Sequence, residues 1–360
     1  MTVMKKKLNK TTKSNLITYA MVVIVYIIVQ LLVSGGAVSS LMKGLLVPLC
    51  VYSILAVSLN LTVGILGELS LGHAGFMCIG AFTSATFSKL TNGVIQPAGF
   101  RFFLAILVGA VFAGIFGLLI GIPVLRLKGD YLAIVTLAFG EIIKNIVNVI
   151  YLGRDSHGIH FSIKDAASLG MDADGEMIIK GPQGITGTPT DSTFTIGIVL
   201  ILVTLFIVLN LVHSRSGRAI MAIRDNRIAA ESVGINITKY KLMAFTISAA
   251  IAGAGGVLYA HNLSTLTALP ANFGYNMSIM ILVFVVLGGM GSFRGSIIAA
   301  VLLTMLPEVL RGLADYRMLI YAIVLIIMML FNWAPKAIEW REKYSIKRMF
   351  GKKAKAEEVQ

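Results

Sequence analysis

About ten apolar runs of roughly 17 to 25 residues dominate this chain, each long enough to cross a bilayer as a helix. Hydrocarbon offers no hydrogen-bond partner, so a backbone that enters it has to satisfy its own N–H and C=O groups, which a helix does within one segment. The runs lie near 17–33, 45–66, 71–90, 102–125, 131–151, 194–212, 241–261, 276–290, 296–312 and 317–333. The expected fold is an all-α integral membrane protein of about ten transmembrane helices, some broken or re-entrant. Composition agrees, with 57% of 360 residues hydrophobic and 13% charged. A soluble domain would carry about 25% charged residues.

Lys and Arg number 31. With the N-terminus inside, 22 of them fall on the cytoplasmic side and eight outside, with Lys144 inside a span. That is the bias expected of a correctly oriented membrane protein. Ten spans keep both termini cytoplasmic, whereas losing one would put the basic C-terminal tail outside. The expected organisation is a basic tail at 1–16, a transmembrane domain at 17–333 and a second basic tail at 334–360. The domain holds an outer loop at 152–193 and a cytoplasmic loop at 213–240. The apolar run Leu16–Val33 behind a lysine-rich start imitates a signal peptide, but its length and the spans that follow favour an uncleaved first helix. The net charge of +14 sits in tails and short loops, so it reports topology and not nucleic acid. Cys50 and Cys78 lie inside apolar runs and form neither a disulfide framework nor a zinc spacing.

Enzyme signatures are absent from the sequence. No G-x-x-x-x-G-K-[ST], H-E-x-x-H or G-x-S-x-G occurs, so this chain has no P-loop with which to hydrolyse ATP. His157 and His160 stand three apart in the acidic outer loop, a weak metal spacing.

Three stretches break the apolar pattern. Ser58–Phe82 packs Gly64, Gly67, Gly72, Gly75 and Gly80 among Asn60, Thr62, Glu68, Ser70 and His73. Broken helix backbone is tolerated only against protein or a wet cavity, and transporters present such breaks to a solute. Either a tight re-entrant turn packed on neighbours, or a path or gate bordered by Asn60, Glu68 and His73, fits the stretch. The fifth span carries Glu141 and Lys144 at i and i+3, where they share a face and can pair. Ionisable groups at that depth should face protein or water. They are candidates for the path, or a pair that only neutralises itself. The third stretch, Ser214–Lys239, is polar and long enough to fold. Asp225 can N-cap a helix from Asn226 to Val233, and Gly234 suits its C′ position. Ile228, Ala229, Ser232 and Val233 share an apolar side. Such a helix can lie on anionic headgroups of membrane lipid, or sit in a cleft of a cytoplasmic motor subunit and convert closure into tilting of the spans. A second glycine cluster, Gly288–Gly295, faintly echoes the first.

These stretches resemble the LivM-type permeases of high-affinity branched-chain amino acid ABC transporters. The resemblance runs through Ser58–Phe82, GIPVLRLKGDYLAIVTLAFGEI at Gly121–Ile142, GPQGITGTP, Ser214–Ala260 and FVVLGGMGSFRGSIIAA at Phe284–Ala300. It implies a bacterial or archaeal plasma-membrane protein that pairs with a second, LivH-type permease. Two cytoplasmic ATPase subunits would bind ATP and Mg, leaving no cofactor in this chain. An external solute-binding protein would deliver leucine, isoleucine or valine. The segment AIRDN-x-x-AA corresponds to the ATPase contact, carrying over Arg224, Asp225, Asn226, Ala229, Ala230 and Gly234. The chain departs from the family at Arg227, where relatives often have an acid, and in a longer outer stretch from Arg154 to Lys180. Relatives also serve urea or short amides, so fold alone does not fix the solute. An ion-driven secondary transporter or channel is the alternative mechanism. An integral membrane enzyme would require clustered catalytic groups, which the sequence lacks.

Overall fold

The computed structural model describes residues 10–36, 38–127, 129–172 and 175–310, with scattered helical positions between 319 and 330. Most of the expected span 317–333, the tail 334–360 and the first nine residues lie outside the described residues. The chain divides into two compact units, Met1–Val301 and Leu302–Gln360, and the first carries nearly all of the described helices.

Apolar runs become helices where the sequence places them. α1 is Lys10–Ser34, α2 Ser40–Asn60, α3 His73–Leu90, α4 Ala98–Val124 and α5 Asp130–Val149. After an outer segment come α6 Phe194–His213, α7 Arg215–Asp225, α8 Arg227–Ser232 and α9 Ile237–Ala260. The short α10 Pro270–Phe273 leads into α11 Tyr275–Gly288, and α12 is Phe293–Val309. Among the described residues, seven helices are long and apolar enough to cross a membrane, fewer than the ten runs read from sequence. α3 and α12 fall outside that set. α3 mixes small and polar residues and has a mostly buried wall, so its surroundings are protein and it needs less apolar surface. The result is a mostly helical, multi-pass membrane architecture.

Burial sorts the helices into inner and outer members. In the most apolar 18-residue stretch of each, 89% of residues are buried in Ser40–Leu66 and 72% in α9, against 11% in α1 and 28% in α4. The innermost packing is α3 and α4 on α9. Small residues let the backbones approach, the usual solution where lipid gives helices no hydrophobic drive to associate. A Cβ on Gly80 would collide with the backbone of Gly253 on α9. α4 shows its apolar residues Phe103, Leu107, Val111, Ile115 and Ile122 outward.

The 152–193 segment, an outer loop by sequence, folds into a small sheet. It carries β1 Tyr151–Asp155, β2 Gly158–Ser162 and β3 Glu176–Lys180 in an antiparallel sheet of order β2-β1-β3. Leu152 pairs with Phe161 on one side and Ile179 on the other. The tight β1–β2 turn is closed by Asp155, which accepts from the N–H groups of His157 at 2.8 Å and Gly158 at 3.0 Å. Burial pushes this carboxyl up, but those bonds, the His160 side chain and the Asp172 N–H outweigh it and hold the group below its ordinary value. β4 Ile185–Thr186 then pairs with β5 Thr265–Leu266, tying the sheet to the chain after α9.

The glycine contact gives a direct test. Gly80→Ala should destabilise the detergent-solubilised protein by at least the roughly 1–3 kcal/mol of ordinary overpacking, because the obstacle is backbone. Gly99→Ala, within α4 and with open space around it, should leave the thermal unfolding midpoint unchanged or slightly raised.

Candidate functional site

Three segments that are remote in sequence meet at one end of the bundle. α2 continues as a π-helical turn, Leu61–Leu66, before an extended link reaches α3. Single π turns inside helices mark local insertions and often functional sites. Asn60, fully buried, donates its amide to Ser296 Oγ at 2.8 Å and accepts the Gly291 N–H at 2.7 Å. Its orientation follows from that network. A Cβ on Gly64 would collide with the Gly291 nitrogen, so the two glycine clusters close on each other only because position 64 has no side chain, while Gly291 is favoured as glycine by its φ of +82°. Asn60 therefore acts as a clamp between α2 and the turn that precedes α12.

The polar loop reaches the same place. Arg224 donates from Nη1 to the Gly64 carbonyl at 3.0 Å, and its Cγ lies over Gly67, where a Cβ would come within 2.6 Å. Its Nε and Nη2 donate to Asp225 Oδ1 at 3.0 and 2.9 Å. The helix expected from Asn226 is α8, but its cap differs from the expectation. Asn226, not Asp225, is the N-cap, accepting the Ala229 N–H at 3.0 Å, because Asp225 is drawn off by Arg224. Gly234 terminates α8 with φ +83°, and the Gly234 and Ile235 N–H groups bond back to Glu231 and Ala230 in a Schellman arrangement. α7 precedes it, capped by Ser214 and anchored by buried Ile220 and Ile223. Ala230 faces inward at 3% exposure, while Ile228 at 80% and Val233 at 74% stand out from the loop.

Glu68, in the extended link, pairs with Lys241 at the start of α9. Both side chains are largely buried, so removing either partner would strand a charge, at a cost of about 3–5 kcal/mol. His73 lies deeper. Its Nε2 is 3.0 Å from Ser248 Oγ and 3.3 Å from Ser58 Oγ. Those two hydroxyls each donate to the other residue's carbonyl at 2.6 Å, so the shared contacts make Nε2–H the donor and leave Nδ1 as an acceptor. This cluster joins α2, α3 and α9.

The structure thus brings Asn60, Glu68 and Arg224 to one end, with His73 behind them. Glu141 and Lys144 stand apart on α5. They form the expected pair, and Glu141 Oε1 also accepts the Tyr275 N–H at 2.7 Å, at the start of α11. Sequence reasoning missed Lys241, Ser248, Gly291 and Ser296. The glycines of the second cluster were its only local signal.

At the opposite end, Lys89, Arg154, Glu176 and Lys180 border a cleft of about 770 Å³ beside the sheet. Lys89 pairs with Glu176 at 2.9 Å, and Arg154 donates to the Leu90 carbonyl at 2.9 Å. His160 bonds Asp155 at 2.8 Å and His157 sits 3.4 Å from Asp172. Among the described residues no three metal-ligating side chains converge.

Comparison with known proteins puts this geometry in a family. The model of the branched-chain amino acid transport system permease component matches residues 41–331. The high-affinity branched-chain amino acid transport system permease protein LivM of Escherichia coli (strain K12) is 35% identical over 303 residues, 80% of this chain and 67% of that protein. The LivH permease protein of the same kind of system from Salmonella typhimurium is 24% identical over 259 residues, 70% of this chain and 79% of that protein. The fructose import permease protein FruG of Bifidobacterium longum is 24% identical over 298 residues, 79% of this chain and 80% of that protein. No solved structure matches. With four-fifths of its length inside that match, and with its break, polar loop and second glycine turn assembled at one end, the chain belongs to the branched-chain amino acid transport system permease family.

Proposed function

We propose that this chain is a membrane-spanning permease subunit of an ATP-driven importer for branched-chain amino acids, and not itself an enzyme. It sits in the plasma membrane with ten spans and with the basic segments 1–16 and 334–360 on the cytoplasmic side, the arrangement its Lys and Arg distribution favours. A LivH-type permease completes the path, two ATPase subunits bind ATP and Mg, and an external binding protein delivers leucine, isoleucine or valine.

The observation that carries the reading is the two-sidedness of the 215–234 loop. Its outward side presents Ile228 and Val233, apolar groups that a solvated loop has no reason to expose together. Its inward side grips the π turn of α2 through Arg224. A motor subunit that seats on α8 would therefore pull on a helix that runs through the core. Asn226 and Gly234 fix the ends of α8, Ala229 and Ala230 keep it slim, and Asp225 holds Arg224 in register. Alternating access follows when that pull tilts α2 and α3 against their neighbours. Glu68–Lys241 and Asn60–Gly291 keep the moving parts joined.

The ion-driven alternative would need a midplane ion site. Lys144 neutralises Glu141, which also accepts the Tyr275 N–H, so the pair offers no net negative charge to hold a coupling cation. FruG carries fructose in its name, so the solute within the importer class rests on the greater likeness to LivM.

Reconstitution tests the reading. Proteoliposomes holding both permeases, the ATPases and the binding protein should take up leucine only with ATP, and omission of any one subunit should abolish uptake. Uptake by this chain alone, or uptake lost on collapsing a proton gradient at constant ATP, would refute it. The docking side has its own test. Ile228→Asp with Val233→Asp should insert normally yet lose most ATPase co-purification, and normal recovery of the complex would remove the coupling role.

A further inference from the structure

The outward faces of the helices are not alike. Those of α4 and α6 are apolar through their middle turns, with Leu107, Ile115, Val203 and Phe206 exposed as a lipid-facing helix requires. α5 and α11 differ. The first half of α5 also exposes apolar residues, Tyr131 and Ile134 among them, but on its sheet-side half Asn145 is exposed among Ile142, Ile146 and Val149 at helical spacing, and Glu141 lies beside them with its side chain 26% exposed. On α11 the exposed residues are Tyr275, Asn276 and Ile279. The bond from Tyr275 N–H to Glu141 Oε1 makes these two faces adjacent. By helical rise Glu141 lies about 12 Å, and Asn145 about 6 Å, from the end of α5 that leads into the sheet. A carboxylate and two amides exposed at such depth are costly against lipid, and ionisable groups there mark substrate or ion pathways.

We propose that Glu141, Asn145 and Asn276 form a polar window lining the sheet-side half of the solute path, with a zwitterionic, apolar-side-chain amino acid as its ligand. The proposal rests on the importer reading and adds which surface the solute touches. Each Glu141 oxygen holds one donor, Tyr275 N–H or Lys144 Nζ, and keeps a lone pair for an ammonium group. The Asn145 and Asn276 amides can donate to the solute carboxylate, while Ile142 and Ile279 offer contact to its side chain. Lys144 is 8% exposed and so stays behind Glu141 as its counter-ion and not as a solute contact.

Cysteine accessibility tests this, and the native Cys50 and Cys78 are both buried and so silent to an aqueous reagent. Asn145→Cys, Asn276→Cys and Ile142→Cys would be placed singly in the full reconstituted complex and reacted with a membrane-impermeant methanethiosulfonate. Phe206→Cys on the lipid-facing side of α6 is the control. The window positions should react at least about tenfold faster than the control, because a thiol in apolar surroundings stays protonated. Leucine supplied with its binding protein should slow them several-fold. Reaction no faster than Phe206→Cys at the sites that assemble normally would overturn the proposal. So would fast reaction that leucine leaves untouched, which would make the window wet but not a solute path. Neither readout needs ATP-driven uptake, so a failed importer reading shows separately as absent uptake with labelling and protection intact.

Discussion

Everything at the polar-loop end depends on the meeting of three segments at Gly64. Its α-carbon faces Gly291, its carbonyl receives Arg224, and Asn60 one turn earlier holds the opposing turn at Gly291 and the start of α12 at Ser296, one hydrogen bond each. Any side chain at position 64 would separate the partners, and the fully buried Asn60 amide would lose a bond that its dry surroundings cannot replace. A π turn at this point is what aims the Gly64 carbonyl out of the α2 ladder and toward the loop. Local insertion in a helix, close glycine packing and a charged hydrogen bond are thus one arrangement.

That arrangement explains why the loop between α6 and α9 is folded. A flexible linker would absorb a push from beneath it. α7 and α8 are each capped at their N-termini by a side chain, Ser214 and Asn226, and α8 is closed by Gly234, so the loop is stiff on the scale of its own length. The small apolar cluster of Ile223, Ala230 and Ile237 seats it on the start of α9. Displacement of α8 then has two routes inward, through Arg224 to α2 and through Ile237 and Lys241 to α9 and the link before α3. Since α9 is the helix on which α3 and α4 pack, motion at the loop reaches the centre of the bundle.

Much of this was legible in the sequence, for identifiable reasons. Run length alone placed most helices, since crossing a bilayer fixes a minimum that no loop imitates. Glycine density between polar residues exposed the break after Asn60, and the Asn226–Gly234 spacing exposed α8. What stayed hidden depends on distance along the chain. Ser296 lies 236 residues from Asn60, and Ser248 lies 190 from Ser58, and neither serine looks unusual where it stands. α7 was missed because its buried pair, Ile220 and Ile223, is too short a pattern beside four arginines. The outer sheet was missed because glycine and proline at 181–189 read as loop, while the β-formers at Tyr151–Leu152, Ile159–Phe161 and Met177–Ile179 come in runs too brief to stand out. The Asp225 cap failed because Asp and Asn both cap well, and only the neighbouring guanidinium decides between them.

The most direct test is the ratio of leucine transported to ATP hydrolysed in an assembled complex carrying Arg224→Ala. If the guanidinium on Gly64 passes the stroke to the spans, the complex should still assemble and hydrolyse ATP while leucine moved per ATP falls by about tenfold, the effect of weakening coupling by roughly 1.4 kcal/mol. An unchanged ratio, with transport and hydrolysis both intact or both reduced in step, would contradict the account.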